Sequence, residues 1–201
     1  LKDRHPASVE VVRVCKALYD KRLIAGMDGN VSIRTEKNTI LITPSGAHKG
    51  FITADALIEM DITGRNISGR GTASSELSMH LAIYHAEPET RAIVHAHPPY
   101  CLGLSIAGLS MLPHLTAEGK MMLKDIVTVP FALPGSKELA EAVARSLSGT
   151  PVQILAHHGA VSRAKDLMSA LSLMECLEHN AMITAIAHGL VRSGYPQPVP
   201  F

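Results

Sequence analysis

Short apolar runs alternate along this chain with segments of helical spacing, and small polar turns separate them. Ser8 to about Leu23 sets Val11, Val12, Val14, Cys15 and Leu18 at the spacing of an amphipathic helix. Gly26-Met27-Asp28-Gly29-Asn30 breaks it. Val31–Arg34 and Thr39–Thr43 read as a hairpin turning at Lys37-Asn38. Leu57–Asp61 is a strand ended by Thr63-Gly64, and Ser75–His85 has helical spacing through Leu77, Leu81, Ile83 and Tyr84. Ala92–His97 is an apolar strand stopped by Pro98-Pro99, followed by a short helix over Tyr100–Ile106. Val127–Val129 is a strand, and Ser136 caps a helix to about Leu147 with Glu138 in its first turn. Val152–Ala156 is a buried strand, Asp166 to about His188 a long helix, and Tyr195–Phe201 an extended Pro-rich tail. Strands and helices intermix without a regular repeat. The pattern therefore predicts an α/β fold with a mixed or antiparallel sheet covered by helices.

Length and composition narrow the class. The 201 residues suggest one domain spanning 1–201, and 46% hydrophobic residues allow a sizeable core without disulfide staples. Aromatics are 3% with no Trp, which argues against platforms for stacking nucleic-acid bases. Nineteen basic and 18 acidic residues give a net charge of +1 with no like-charge block. No electrostatic footprint for nucleic acid or membrane is expected. The three cysteines, Cys15, Cys101 and Cys176, form no Cys-x-x-Cys pair and read as buried thiols of a cytoplasmic protein. No apolar run has the length of a membrane span and no signal peptide is visible. Leu1 in place of Met is read as a short missing start.

Three pieces look like parts of one metal site: Ser74-Ser75-Glu76, His95-Ala96-His97 and His157-His158-Gly159. Histidines two apart on a strand share a face. A third imidazole, from His157 or His158, would come from the turn after another strand. Glu76 can ligate or act as a base. Three neutral imidazoles with an open position suit a catalytic divalent ion, most often zinc, with manganese or cobalt as alternatives. The remaining histidines, His5, His48, His80, His85, His114, His179 and His188, read as surface or capping groups. Gly29-Asn30, Ser45-Gly46 and Ser74-Ser75 form a second constellation. Small polar turns at element edges offer backbone N–H groups and hydroxyls to a phosphate. Neither a Walker nor a dinucleotide fingerprint occurs, and no Gly-x-Ser-x-Gly is present. None of the nine lysines falls in a predicted apolar strand, which disfavours a Schiff base.

Taken in order, Gly26–Arg34, Ile42–Gly46, Ser74–His80, Val94–His97, Pro134–Ala140 and Leu155–Gly159 resemble the class II aldolase/adducin family over nearly the whole chain. The resemblance implies a central, mainly antiparallel sheet with helices on both sides, and homotetramers with the active site between subunits. It implies His95, His97 and His158 as metal ligands, with Glu76 as ligand at rest and acid/base during turnover. Gly29, Asn30, Ser45, Gly46, Ser74 and Ser75 would hold the phosphate of a ketose 1-phosphate. The implied reaction is a reversible retro-aldol cleavage to dihydroxyacetone phosphate and an aldehyde. Fuculose, ribulose, 5-deoxyribulose and 5-methylthioribulose 1-phosphates are the candidate substrates. Aldolases of the family carry a tyrosine near the segment that reads Pro113–Glu118 here, where none occurs. Thr116 or Glu118 is the substitute expected, and the apolar Met121 and Met122 nearby favour a less polar sugar. The alternatives within the family are a ribulose-phosphate 4-epimerase, a methylthioribulose-1-phosphate dehydratase and a decarboxylase. Glu76 argues against the dehydratase, whose branch lacks it. An adducin-like structural module would have lost the three histidines.

Overall fold

The computed structural model describes residues 6–112, 115–147 and 149–192. The expected tail Tyr195–Phe201, and His5, Pro113 and His114, lie outside the described residues. Helix α1 (Pro6–Asp20) leads to the hairpin β1 (Asn30–Arg34) and β2 (Ile40–Ile42), whose turn places Asn38 at φ +58°. Two 3-10 turns, Lys49–Phe51 and Ala54–Ala56, precede β3 (Ile58–Met60). Then follow α2 (Leu77–Ala86), β4 (Ala92–Ala96), α3 (Pro99–Ile106), α4 (Ala117–Met122) and β5 (Val127–Val129). The chain closes with α5 (Lys137–Arg145), β6 (Val152–Leu155), β7 (Gly159–Ala164) and α6 (Leu167–Arg192).

The seven strands form one sheet in the order β3-β2-β1-β4-β7-β6-β5. Every pairing is antiparallel except the parallel β5–β6. This is the mainly antiparallel α/β architecture the sequence implies. Strand β4 is buried along its whole length because both faces are covered. Its alternate residues feed two cores. Ala92, Val94 and Ala96 join the cluster built with α1, α3 and α6, whereas Ile93 joins Met79, Ile83, Leu139 and Val143 of α2 and α5. His95 follows Ile93 in the alternation and so faces the side of α2.

Strand β7 and helix α4 were not legible. Strand β7 reads Gly-Ala-Val-Ser-Arg-Ala, and its polar positions are buried by partners distant in sequence. Ser162 donates to the Ala170 carbonyl at 2.7 Å. Arg163 binds Glu87 twice, Nε to Oε2 at 2.5 Å and Nη2 to Oε1 at 2.8 Å, while Nη2 also reaches the Leu147 carbonyl. This clamp fixes the C-terminal end of α2 against β7. The N-terminus of α3 is held by Glu178 of α6, which accepts from the N–H groups of Tyr100 (2.9 Å) and Cys101 (3.0 Å). It supplies the anionic cap that Pro98 cannot. No helix among the described residues is long and apolar enough to cross a membrane.

The Arg163 hydrogen bonds hold the Glu87 carboxyl below its ordinary range. A lowered carboxyl pKa contributes stability above the unfolded value, about 4.3, and loses it as pH falls through the folded value. Glu87→Gln leaves the buried guanidinium without its counter-charge. The Glu87 side chain is 35% exposed, which lowers the cost from that of a fully buried pair to about 2–3 kcal/mol. Thermal unfolding at pH 7 is expected to show a lower Tm for Glu87→Gln. The gap to wild type should narrow as pH is taken below 4; a gap that stays constant would remove the electrostatic account.

Candidate metal centre and anion cradle

The metal cluster forms where β4 ends. His95 is fully buried and sits directly opposite Asn30 in the β1–β4 ladder. Its Nδ1 donates to the Ala160 carbonyl of β7 at 2.9 Å, which leaves the Nε2 lone pair facing inward. His97, two residues on, presents Nε2 3.2 Å from that of His95. Two ligand nitrogens on a tetrahedral zinc ion, each bonded at about 2.0–2.1 Å, stand roughly 3.3–3.4 Å apart. His158 comes from the tight β6–β7 turn, and the donor atoms of the three imidazoles lie within 4.8 Å of one another. Of the two adjacent histidines, it is His158 that joins the cluster. His157 takes the left-handed position of the turn, at φ +56°, and is exposed. Gly159 allows the close approach, because a Cβ there would meet the Ala96 carbonyl and lie 2.7 Å from the His97 ring.

Glu76 stands at the N-cap of α2, one position before the helix in which the pattern places it, and is 4% exposed. Its Oε2 lies 2.8 Å from His95 Nε2 and 3.8 Å from His158 Nε2. Asn30 Nδ2 donates to the same oxygen at 3.4 Å, and the Gly135 N–H donates to Oε1 at 3.3 Å. Burial alone would raise the carboxyl pKa; attraction to His95 and His158 and the Asn30 bond outweigh it and hold the group ionised. Burial, helped by His95, pulls His97 down to about 4 and lowers His158 as well. Three imidazoles beside an ionised carboxylate are a donor set that fits a divalent cation of zinc type.

The ten residues that the family resemblance implies for metal and phosphate line one cavity of about 240 Å³, which also takes in Met27, Lys49 and Pro134. The loops carrying Ser45 and Ser74 run side by side, joined by Ser45 N–H to the Thr72 carbonyl (2.9 Å) and Ser74 N–H to the Thr43 carbonyl (3.1 Å). Gly29 adopts φ +66°, and a Cβ there would lie 2.7 Å from the His95 carbonyl oxygen. Only glycine meets both demands without strain. Serine hydroxyls, glycine-rich backbone and the metal cluster thus share one opening.

Three contributors escaped the sequence. Lys49 is 3% exposed, with Nζ donating to the Met27 carbonyl at 2.6 Å. Burial lowers its pKa, opposed by attraction to Cys15 and Asp28. Its position three residues after Ser45-Gly46, outside any apolar strand, was the available signal. Gly135 acts through its backbone. His80, expected at the surface or at a cap, is wholly buried between α2 and β1, because α2 turns the Glu76-His80-Tyr84 face inward. Among the other histidines, His85 and His179 are exposed as expected, whereas His48 and His188 are half-buried. Thr116 accepts from the Gly119 N–H as the cap of α4 and donates to Asn180. Met121 and Met122 are exposed, and neither lines the cavity.

The chain is similar to known proteins over most of its length. The model of the Class II Aldolase and Adducin N-terminal domain matches residues 9–185. An L-fuculose phosphate aldolase of Methanococcus maripaludis is 38% identical over 90% of this chain and 97% of the relative. A 3-oxo-tetronate 4-phosphate decarboxylase of Pectobacterium atrosepticum is 33% identical, over 92% of this chain and 87% of that one. The crystal structure of the L-fuculose-1-phosphate aldolase from Thermus thermophilus superposes with a TM-score of 0.83 at 32% identity. It covers 94% of this chain and 97% of its own.

Elemental analysis of the purified protein is expected to find about one divalent ion per chain. His95→Ala and His97→Ala should each lower the occupancy at least tenfold, with the far-UV spectrum retained. Full occupancy in the double variant would show that the ion sits elsewhere.

Proposed function

The chain belongs to the class II aldolase and adducin family, and on that premise we propose that it cleaves a ketose 1-phosphate reversibly to dihydroxyacetone phosphate and an aldehyde. It is a metal-dependent class II aldolase-type lyase acting on a sugar phosphate. The observation that carries the finer reading is the cavity itself, which sets a carboxylate and three imidazoles at one end of a small-polar anion cradle.

His95, His97 and His158 hold the ion in this reading, and Glu76 completes the donor set at rest. Zinc suits these donors best, with manganese or cobalt as alternatives. When bound, the ion supplies Lewis-acid stabilisation of the negative charge that develops on the sugar oxygens. The cradle of Gly29, Asn30, Ser45, Gly46, Ser74 and Ser75 grips the phosphate, and the Lys49 ammonium adds the one buried cation among them. Binding energy at the phosphate thereby orients the distant carbon–carbon bond. As that bond breaks, the hydroxyl of the departing half gives its proton to the ionised Glu76 and that half leaves as an aldehyde, while the electrons of the bond form an enediolate. Glu76 then delivers a proton to the enediolate carbon. Asn30 and Gly135 hold its two oxygens for that transfer.

The Pectobacterium relative supports a second reading, in which the same enediolate arises by loss of carbon dioxide from a 3-oxo acid phosphate. Release of aldehyde against release of carbon dioxide separates the two. Assembly with further copies of the chain, a tetramer by the family pattern, belongs to the proposal. The exposed apolar side chains of Phe51, Phe131 and Leu133 support it.

A panel of ketose 1-phosphates, including the 5-deoxy and 5-methylthio sugars, is expected to yield dihydroxyacetone phosphate with metal-loaded protein. Glu76→Gln should lower kcat by about 10²–10⁴ with little change in KM. A Glu76→Gln variant as active as wild type would make the carboxylate structural. Lys49→Met keeps the buried stem and removes the charge. It should weaken competitive inhibition by inorganic phosphate about tenfold or more, the scale of one charged hydrogen bond. An unchanged inhibition constant would place the phosphate away from Lys49.

A further inference from the structure

His80 lies one turn after Glu76, fully buried, at the centre of a column of polar side chains that leads away from the cavity. Its Nε2 meets Asn30 Oδ1 at 2.5 Å and its Nδ1 meets Ser32 Oγ at 2.6 Å. Ser32 Oγ in turn meets the Tyr84 hydroxyl at 2.8 Å. The Tyr84 ring carries the Arg34 guanidinium 4.9 Å above its centroid.

Donor and acceptor chemistry fixes the direction of every bond in this column. Asn30 presents Nδ2 to the Glu76 carboxyl and turns Oδ1 toward His80. An amide oxygen can only accept, so the imidazole proton sits on His80 Nε2. Nδ1 of the neutral ring is then an acceptor and takes the Ser32 hydroxyl proton, while the Ser32 oxygen accepts from Tyr84. All four hydrogen bonds therefore run toward the carboxylate, the arrangement in which each polarises the next. The opposite tautomer would turn Asn30 over and set its carbonyl against Glu76.

We propose that His80 is a positioning residue, a neutral imidazole with its proton on Nε2 that locks the Asn30 amide so that Nδ2 donates to Glu76. The ring is wholly buried and both of its nitrogens meet uncharged partners, an environment that leaves no counter-charge for an imidazolium. The inference rests on the reading of Glu76 as the proton carrier.

The test pairs spectroscopy with kinetics. Nitrogen-15 NMR of the histidine-labelled, metal-loaded protein should show the His80 ring as the Nε2–H tautomer from pH 6 to 8, with a slowly exchanging proton. The Nδ1–H tautomer or an imidazolium would overturn the proposal, whatever the enzyme's activity. His80→Leu should lower kcat about 10–100-fold, the scale of one charge-assisted hydrogen bond, with metal content unchanged. His80→Gln, which keeps an N–H near the Nε2 position, should recover most of the loss. In an Asn30→Leu background, His80→Leu should cost nothing further; a fully additive loss would mean that His80 does not act through Asn30. Should His80→Leu not fold, the tautomer and the kinetics of Ser32→Ala still decide. Failure of the Glu76 reading is separately visible as an active Glu76→Gln enzyme.

Discussion

A carboxylate buried to within 4% of complete exclusion is the constraint around which this fold is arranged. An ionised group in such a place is tolerated only when opposite charge and hydrogen-bond donors replace the lost water. Glu76 accepts from Asn30 on one oxygen and from the Gly135 N–H on the other, and the His95 Nε2 stands 2.8 Å away at the position where a cation would be shared. These groups come from β4, β1 and the turn before α5. The carboxylate therefore makes demands on three elements besides its own helix. The Asn30–His95 cross-strand pair sets the β1–β4 register, because a slip of one residue would turn both side chains to the opposite face. Antiparallel pairing of β4 with β7 brings the β6–β7 turn, and with it His158, to the same end of the sheet.

The parts of the site governed by local periodicity could be read from the sequence. His95 and His97 share a face because a strand has a period of two, and the apolar run before them marks the strand. The small-polar turns were legible because Gly29 and Gly46 stand at positive φ, a conformation that glycine enters without strain. Whether His157 or His158 turned inward was not legible from the residues alone. The turn could in principle present either, and the answer depends on His157 accepting a left-handed backbone that glycine or asparagine more often fills. Strand β7 escaped because its buried serine and arginine find partners far along the chain. Helix α4 escaped because it is six residues long with Gly119 at its middle.

Lys49 and His80 were missed for a related reason. Each reads as a surface residue by type, and each is buried because its partner is remote. Lys49 folds its stem inward to reach the Met27 carbonyl, so the cation comes to line the cavity. The proposed phosphate site, built from backbone, hydroxyls and one screened ammonium, needs no excess of positive charge across the protein. That is why a chain with a net charge of +1 can carry it.

Helix α2 could lie along β1 with its polar residues matched because the two repeats nearly coincide. Four residues of helix rise about 6.0 Å. Two residues of strand rise about 6.6–6.8 Å. Glu76, His80 and Tyr84 on the helix can therefore face Asn30, Ser32 and Arg34 on the strand with a mismatch of under about 1 Å at each step. The observed partners follow that progression: Glu76 meets Asn30, His80 bridges Asn30 and Ser32, and Tyr84 bridges Ser32 and the Arg34 guanidinium. The imidazole, with a nitrogen on each side of its ring, absorbs the mismatch by spanning two strand positions. Helix α2 is pinned at its start by Glu76 and at its end by Glu87 against Arg163, so it cannot slide to repair a lost link. A change in the middle of this column is therefore felt at the Asn30 amide instead of being relaxed by a shift of the helix.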